Sequence, residues 1–144
     1  MNKVTILMGC LGFAWAGQAA AQCTANTRLN SASDIETHLQ DMTVCGTGVG
    51  ASAGDQWQEW HQTSSGGTLT EYAKGTGDPV DPTHDVGTWS TSGAGSNAVV
   101  TYVYDGGDSY SFNVHVNGST TYFCNDTTEV ANAFLLSGQQ SCGF

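Results

Sequence analysis

Between Val86 and Cys124 the chain is cut into short segments by turn residues, and this punctuation restricts the fold more than any other feature of the sequence. The segments run from Val86 to Thr91, Asn97 to Asp105, Ser109 to Asn117 and Thr120 to Cys124. Between them stand Gly93 to Ser96, Asp105-Gly106-Gly107-Asp108 and Asn117-Gly118. The last pair is a strong hairpin signal, because both residue types tolerate the positive φ that a two-residue turn needs. Connections this short join antiparallel strands, since a parallel pair needs a crossover of about a dozen residues or more. In the third segment Tyr110, Phe112, Val114 and Val116 alternate with Ser111, Asn113 and His115, the period-two pattern of a strand with one apolar and one wet face.

Two further strands are expected at residues 56–62 and 68–74, flanking the turn TSSGG. Pairing Trp57 with Tyr72 sets Trp60 against Leu69 and Glu59 against Thr70, whereas the register one residue away sets Glu59 against Glu71. Like charges directly opposite are destabilising and aromatic pairs favourable, so the first register is expected. It groups Trp57, Glu59, His61 and Tyr72 on one face and Trp60 with Leu69 on the other.

Helical signals stand on either side of the strands. Ser33-Asp34-Ile35-Glu36 fits a capping box with Ile35, Leu39 and Met42 at helical spacing, which predicts a helix over about 33–42. Asp126-Thr127-Thr128-Glu129 can cap a second helix carrying Val130, Ala133, Phe134 and Leu135 and ending near Gly138. The stretch GTGVGASAGD, residues 46–55, is too rich in glycine for regular structure and is expected to be a loop. Six or so antiparallel strands in simple succession, with a short helix near each end, make the fold mainly β. The expected form is a small up-and-down barrel or a strongly curved meander sheet, with a sandwich as the alternative. Gly87-Thr88-Trp89 is similar to the Gly-x-Trp of lipocalin-type barrels, although there the motif lies near the start of the barrel and here it lies mid-chain.

The opening MNKVTILMGCLGFAWAGQAAAQC has one cation, an apolar run too short to span a membrane, and small residues at Ala19 to Ala21. This is the pattern of a secretory signal peptide, residues 1–21, cleaved after Ala21 and leaving 22–144 as a single β domain. Leu7-Met8-Gly9-Cys10 has the shape of a lipidation box, but the apolar segment before Cys10 is only a few residues long, so plain secretion to the periplasm or the cell exterior is expected. Cys23, Cys45, Cys124 and Cys142 remain, and an even count in an exported chain implies two disulfides with three possible connectivities. Cys23 with Cys45 and Cys124 with Cys142 is the expected pairing, because each pair flanks a predicted helix. Each loop of about 20 residues would stabilise the fold by roughly 3 kcal/mol.

The charge narrows the partners. Thirteen Asp and Glu stand against three Lys and Arg, a formal charge of −10, and Lys3 lies in the signal segment. Nucleic acid and anionic lipid are poor partners for such a surface, and no membrane insertion is expected once the signal is removed. A small molecule or a basic protein fits better.

Several motifs carry chemistry on paper only. Gly50-Ala51-Ser52-Ala53-Gly54 matches the nucleophile elbow, but no helix follows it and no βα alternation surrounds it. Gly46-Thr47-Gly48-Val49-Gly50-Ala51 matches the weak dinucleotide fingerprint with no βαβ unit around it. Asp78, Asp81 and Asp85 crowd a proline-rich connection, 77–85, that also holds His84, and they suit side-chain to backbone hydrogen bonds better than a calcium loop. Neither a cofactor nor a resident metal is implied. Glu59 and His61 share a strand face, a spacing that can pair a base with its orienter or two ligands on a metal. His115 is expected on a wet face. Tyr102 and Tyr104 share one face of their strand and Val99, Thr101 and Val103 the other, so one row of rings is left to cover or to bind. Trp60 and Trp89 are expected to fill the core.

The candidate binding residues are therefore Trp57, Glu59, His61, Tyr72, Tyr102 and Tyr104, and no complete catalytic constellation accompanies them. The leading expectation is an exported non-catalytic binding module that recognises a small ligand or inhibits a secreted partner. The alternatives are a structural assembly protein of the cell surface and a small secreted hydrolase or metal-binding protein using Glu59 and His61.

Overall fold

Eight antiparallel strands in sequence order close into a barrel in the computed structural model, which describes residues 22–50, 53–72 and 83–143. A helix, α1 (Ala32–Leu39), precedes β1 (Met42–Gly48), β2 (Gln56–His61), β3 (Thr68–Tyr72) and β4 (Thr83–Ser92). A 3-10 turn at Gly95–Asn97 then leads to β5 (Val99–Tyr104), β6 (Ser109–Asn117), β7 (Thr120–Asn125) and β8 (Thr128–Ser137). Each strand pairs with the next, and β8 pairs with β1 along Met42–Gly48. Residues 1–21, expected to be a signal peptide and including Cys10, together with Ser52, Asp78 and Asp81, lie outside the described residues.

The two strands that close the ring differ most from expectation. β1 extends through Gly46 and Gly48, which reads as loop in isolation, and β8 replaces the predicted C-terminal helix, leaving α1 as the one α-helix among the described residues. The segment TEVANAFLLS has a weak local bias towards helix, but pairing with β1 and β7 satisfies its backbone and buries Ala131 and Ala133. Gly46 lies directly opposite Trp57, and a Cβ there would overlap the Trp57 indole. Close ring-on-backbone packing, rather than a nucleotide loop, is what this glycine permits. Gly46→Ala is expected to displace Trp57 and cost about 1–3 kcal/mol, read by thermal melting together with a shift in tryptophan fluorescence. An unchanged melt and spectrum would remove the packing role.

The cap of α1 lies two residues before the expected one: Ser31, not Ser33, is the cap, and its side chain accepts from the Asp34 N–H at 3.0 Å. The helix plugs one end of the barrel. Ile35 and Leu39 are fully buried in one cluster with Val44, Leu69, Trp89, Val100 and Val114. Two contacts hold the helix to the turns at that end: the Ala32 N–H donates to the Gly93 carbonyl, and Glu36 accepts from the Ser65 N–H at 3.0 Å. Trp89 is fully buried as expected, and its indole N–H donates to the Gln62 carbonyl at 3.3 Å.

The disulfides are Cys23–Cys124 and Cys45–Cys142, not the local pairs expected from flanking helices. With no helix between Cys124 and Cys142, the premise for that pairing fails. Residues 27–29 instead run along β6, where the Leu29 N–H donates to Val114 and the Val116 N–H to Thr27, bringing Cys23 near β7. The C-terminal segment lies outside β1 and β2, with the Cys142 N–H donating to Gln58 at 2.7 Å. Two disulfides fit an oxidising environment outside the cytoplasm.

Candidate functional site

β2 carries the site because its inward face alternates Trp57, Glu59 and His61 while Gln58 and Trp60 face outward. Trp60 is accordingly not core: it is half-buried and its indole N–H donates to Asp41 at 3.2 Å. The register with β3 is the one that charge repulsion argued against, with Glu59 opposite Glu71, Trp60 opposite Thr70 and His61 opposite Leu69. It sends Leu69 into the core with His61. Tyr72 does not meet Trp57; it pairs with Thr83 of β4 and alternates to the face opposite Glu71.

The repulsion is relieved by protonation and by burial on one side only. Glu59 is 5% exposed, and burial first, with the neighbouring Glu71 in addition, raises its pKa to about 7 against the opposing effect of the Tyr104 hydrogen bond. Glu71 is more open and stands 3.4 Å from His84 at the surface end of β4. The Tyr104 hydroxyl donates to Glu59 Oε1 at 2.8 Å. Its own pKa is pushed up by burial and by the nearby Glu59, so it remains a donor throughout the physiological range.

Deeper in the barrel His61 forms a separate polar pair. Its Nε2 lies 3.0 Å from the Tyr102 hydroxyl and its Nδ1 lies 3.2 Å from the Glu59 backbone oxygen. Burial lowers its pKa to about 4, so the ring is neutral. Trp89 and Tyr102 meet it edge-on at centroid distances of 5.0 and 5.5 Å. Glu59 and His61 thus share a face, but their side chains hold different tyrosines and do not form a base–orienter pair.

Above this layer the barrel opens. A recess of about 60 Å³ is lined by Trp57, Glu59, Tyr102, Tyr104, Phe112, Phe123, Val130 and Ala131. It continues into a mouth of about 410 Å³ that adds Gly48, Asp55, Gln56 and Tyr110. The space exists because β8 contributes Ala131 opposite bulky rings. Phe112 and Phe123 are 6.0 Å apart, Trp57 and Phe123 6.5 Å, and Tyr104 meets Tyr110 edge-on at 6.0 Å. Tyr110, half-exposed at the rim, Phe112, Phe123 and Ala131 are not among the binding residues expected from sequence. The alternation of Tyr110 with Phe112 is the visible signal, and only closure of the ring reveals which apolar face looks into a cavity.

The other expected residues lie elsewhere. His115 is fully buried rather than wet, covered by residues 27–29, with Nδ1 3.0 Å from the Thr27 hydroxyl. Asp85 accepts from Thr70 at 2.9 Å. A second cleft, of about 400 Å³ between Ser96–Val99 and Asn125–Asp126, is polar, and its buried Asn113 amide already donates to the Ser96 and Ala98 carbonyls. Among the described residues no three His, Cys, Asp or Glu side chains gather as a metal site, and no helix is long and apolar enough to cross a membrane. Compared with known proteins, the chain matches no family model, no curated protein and no solved structure.

Proposed function

We propose that this protein is a non-catalytic binding protein, exported to the periplasm or the cell exterior, that takes a small molecule into the open end of its barrel. One observation carries the reading: a ring-lined cavity, closed below by packed side chains, has the hydrogen-bonded pair Glu59 and Tyr104 in its wall, with Asp55 and Gln56 at the rim. Small-molecule sites have this composition, an apolar lining that supplies area and a few placed polar groups that fix orientation. Trp57 and Tyr104 are aromatic anchors whose rigid side chains lose little entropy when covered. A hydrolytic reading would need Glu59 and His61 to act on one substrate, yet His61 sits below the cavity with both ring nitrogens engaged. The assembly reading would need open strand edges, and the ring of pairings occupies them.

The test is ligand capture by the oxidised protein, followed through tryptophan fluorescence with a panel of small aromatic and aliphatic probes. Trp57→Ala is expected to weaken any captured probe by about tenfold or more while the variant stays folded. Probe binding unchanged in Trp57→Ala would place the binding surface elsewhere and overturn the reading.

A further inference from the structure

Resting on that reading, we infer that the cavity selects an organic cation, an ammonium group on an apolar body, with the Glu59 carboxylate as counter-ion and the rings of Trp57, Tyr104, Tyr110 and Phe112 around it. Three features of the cavity converge on this class. Among the described residues no Lys or Arg lines the recess or the mouth, whereas Glu59 lies in both and Asp55 lies at the rim, so the described wall offers an anionic ligand only like charge. Glu59 uses Oε1 to accept from Tyr104, and its Oε2 has no protein partner among the described residues. Ring faces attract a cation through their quadrupole, most strongly where water is excluded. The chain's excess of acidic residues, −10 overall, adds a field that steers cations towards it.

The charges around Glu59 set its pH response. β1 places apolar Val44 opposite it and β3 places Glu71. β5 brings Tyr102 and Tyr104, β6 brings Tyr110, and β2 itself brings His61 and, at its start, Asp55. His84 of β4 acts only through Glu71. With His61 neutral, ionisation of Glu59 is the shifted titration among the described residues of the cavity wall between pH 5 and 8. An arriving cation relieves both the buried carboxylate and its repulsion by Glu71, so binding favours the ionised form and expels the proton.

The experiment compares phenyltrimethylammonium, whose charge is fixed at every pH, with its neutral isostere tert-butylbenzene, both read by tryptophan fluorescence on the oxidised protein. At pH 8 the cation is expected to bind at least about tenfold more tightly, and its affinity to fall by about 50- to 100-fold between pH 8 and pH 5 as Glu59 takes up its proton. The isostere should show no such fall. Glu59→Gln should abolish the difference between the probes, and Tyr104→Phe, which keeps the carboxyl, should retain it. His84→Gln should keep the pH dependence. Equal binding of both probes at pH 8 overturns the cation inference and leaves the binding reading standing. Binding of neither overturns both.

Discussion

The Glu59→Gln variant is expected to gain about 3 kcal/mol of stability over the wild type between pH 4.5 and pH 8. The folded state holds the Glu59 proton until a pKa of about 7, while the unfolded chain releases it at the ordinary value of 4.5. A raised carboxyl pKa means that stability is complete below 4.5 and is lost as pH rises through 7, at about 1.4 kcal/mol for each pH unit between those two values. Glutamine keeps the acceptor for Tyr104 and has no charge to bury. His61 works in the opposite sense. Its folded pKa of about 4 lies below the ordinary 6.5, so stability is complete above 6.5 and is lost as pH falls through 4, again by about 3 kcal/mol. Between pH 4.5 and 6.5 the two slopes offset one another in the wild type. Removing the carboxyl therefore exposes the histidine slope, to which His38 and His115, both also lowered by burial, add. Denaturant unfolding at four pH values from 4.5 to 8 measures the effect, and parallel pH profiles for wild type and Glu59→Gln would rule it out.

Loss of either disulfide is expected to cost more. The bridges join cysteines 101 and 97 residues apart, and a loop of about 100 residues restricts the unfolded chain by roughly 4.7 kcal/mol in the chain-entropy model. Cys45→Ser with Cys142→Ser should lower the melting temperature by roughly 15–20 °C. The two loops overlap in sequence, so while one bridge is kept the other closes a shorter effective loop, and the second removal should cost more than the first. A loss below about 1 kcal/mol for the pair would show that the reduced chain is already restricted, or that the bridge only tethers the C-terminal segment locally.

How far the sequence could be read follows from the range of the interactions involved. The hairpins between Val86 and Cys124 are local, and their turn residues marked them. The shared face of Tyr102 and Tyr104, and that of Trp57, Glu59 and His61, follows from the pleat alone. Non-local terms decided the rest. The register of β2 with β3 turned on whether Glu59 is charged, and that depends on burial by β5 and β8, which no hairpin argument contains. β1 and β8 have weak strand character and are held by each other. The cysteines paired across the barrel because the terminal segments lie along its outer wall. For the cavity, the sequence displayed most of the rings but not the small residue, Ala131, that leaves room among them.

The seam between β1 and β8 governs the order of assembly. The first strand of the ring finds its second partner in the last, so the hairpin-linked strands between them can form while the sheet still has two open edges. Until Thr128–Ser137 arrives, Met42–Gly48 offers an unpaired backbone row to any passing strand. Pairings of this sequence separation slow folding into the millisecond-to-second range typical of non-local β topologies. Cys45, in the middle of β1, lies opposite Phe134 of β8, and its bond to Cys142 locks the chain just beyond that seam. Oxidation after closure would therefore act as a latch on the finished ring, and premature pairing of Cys45 with Cys23 or Cys124 would hold it open.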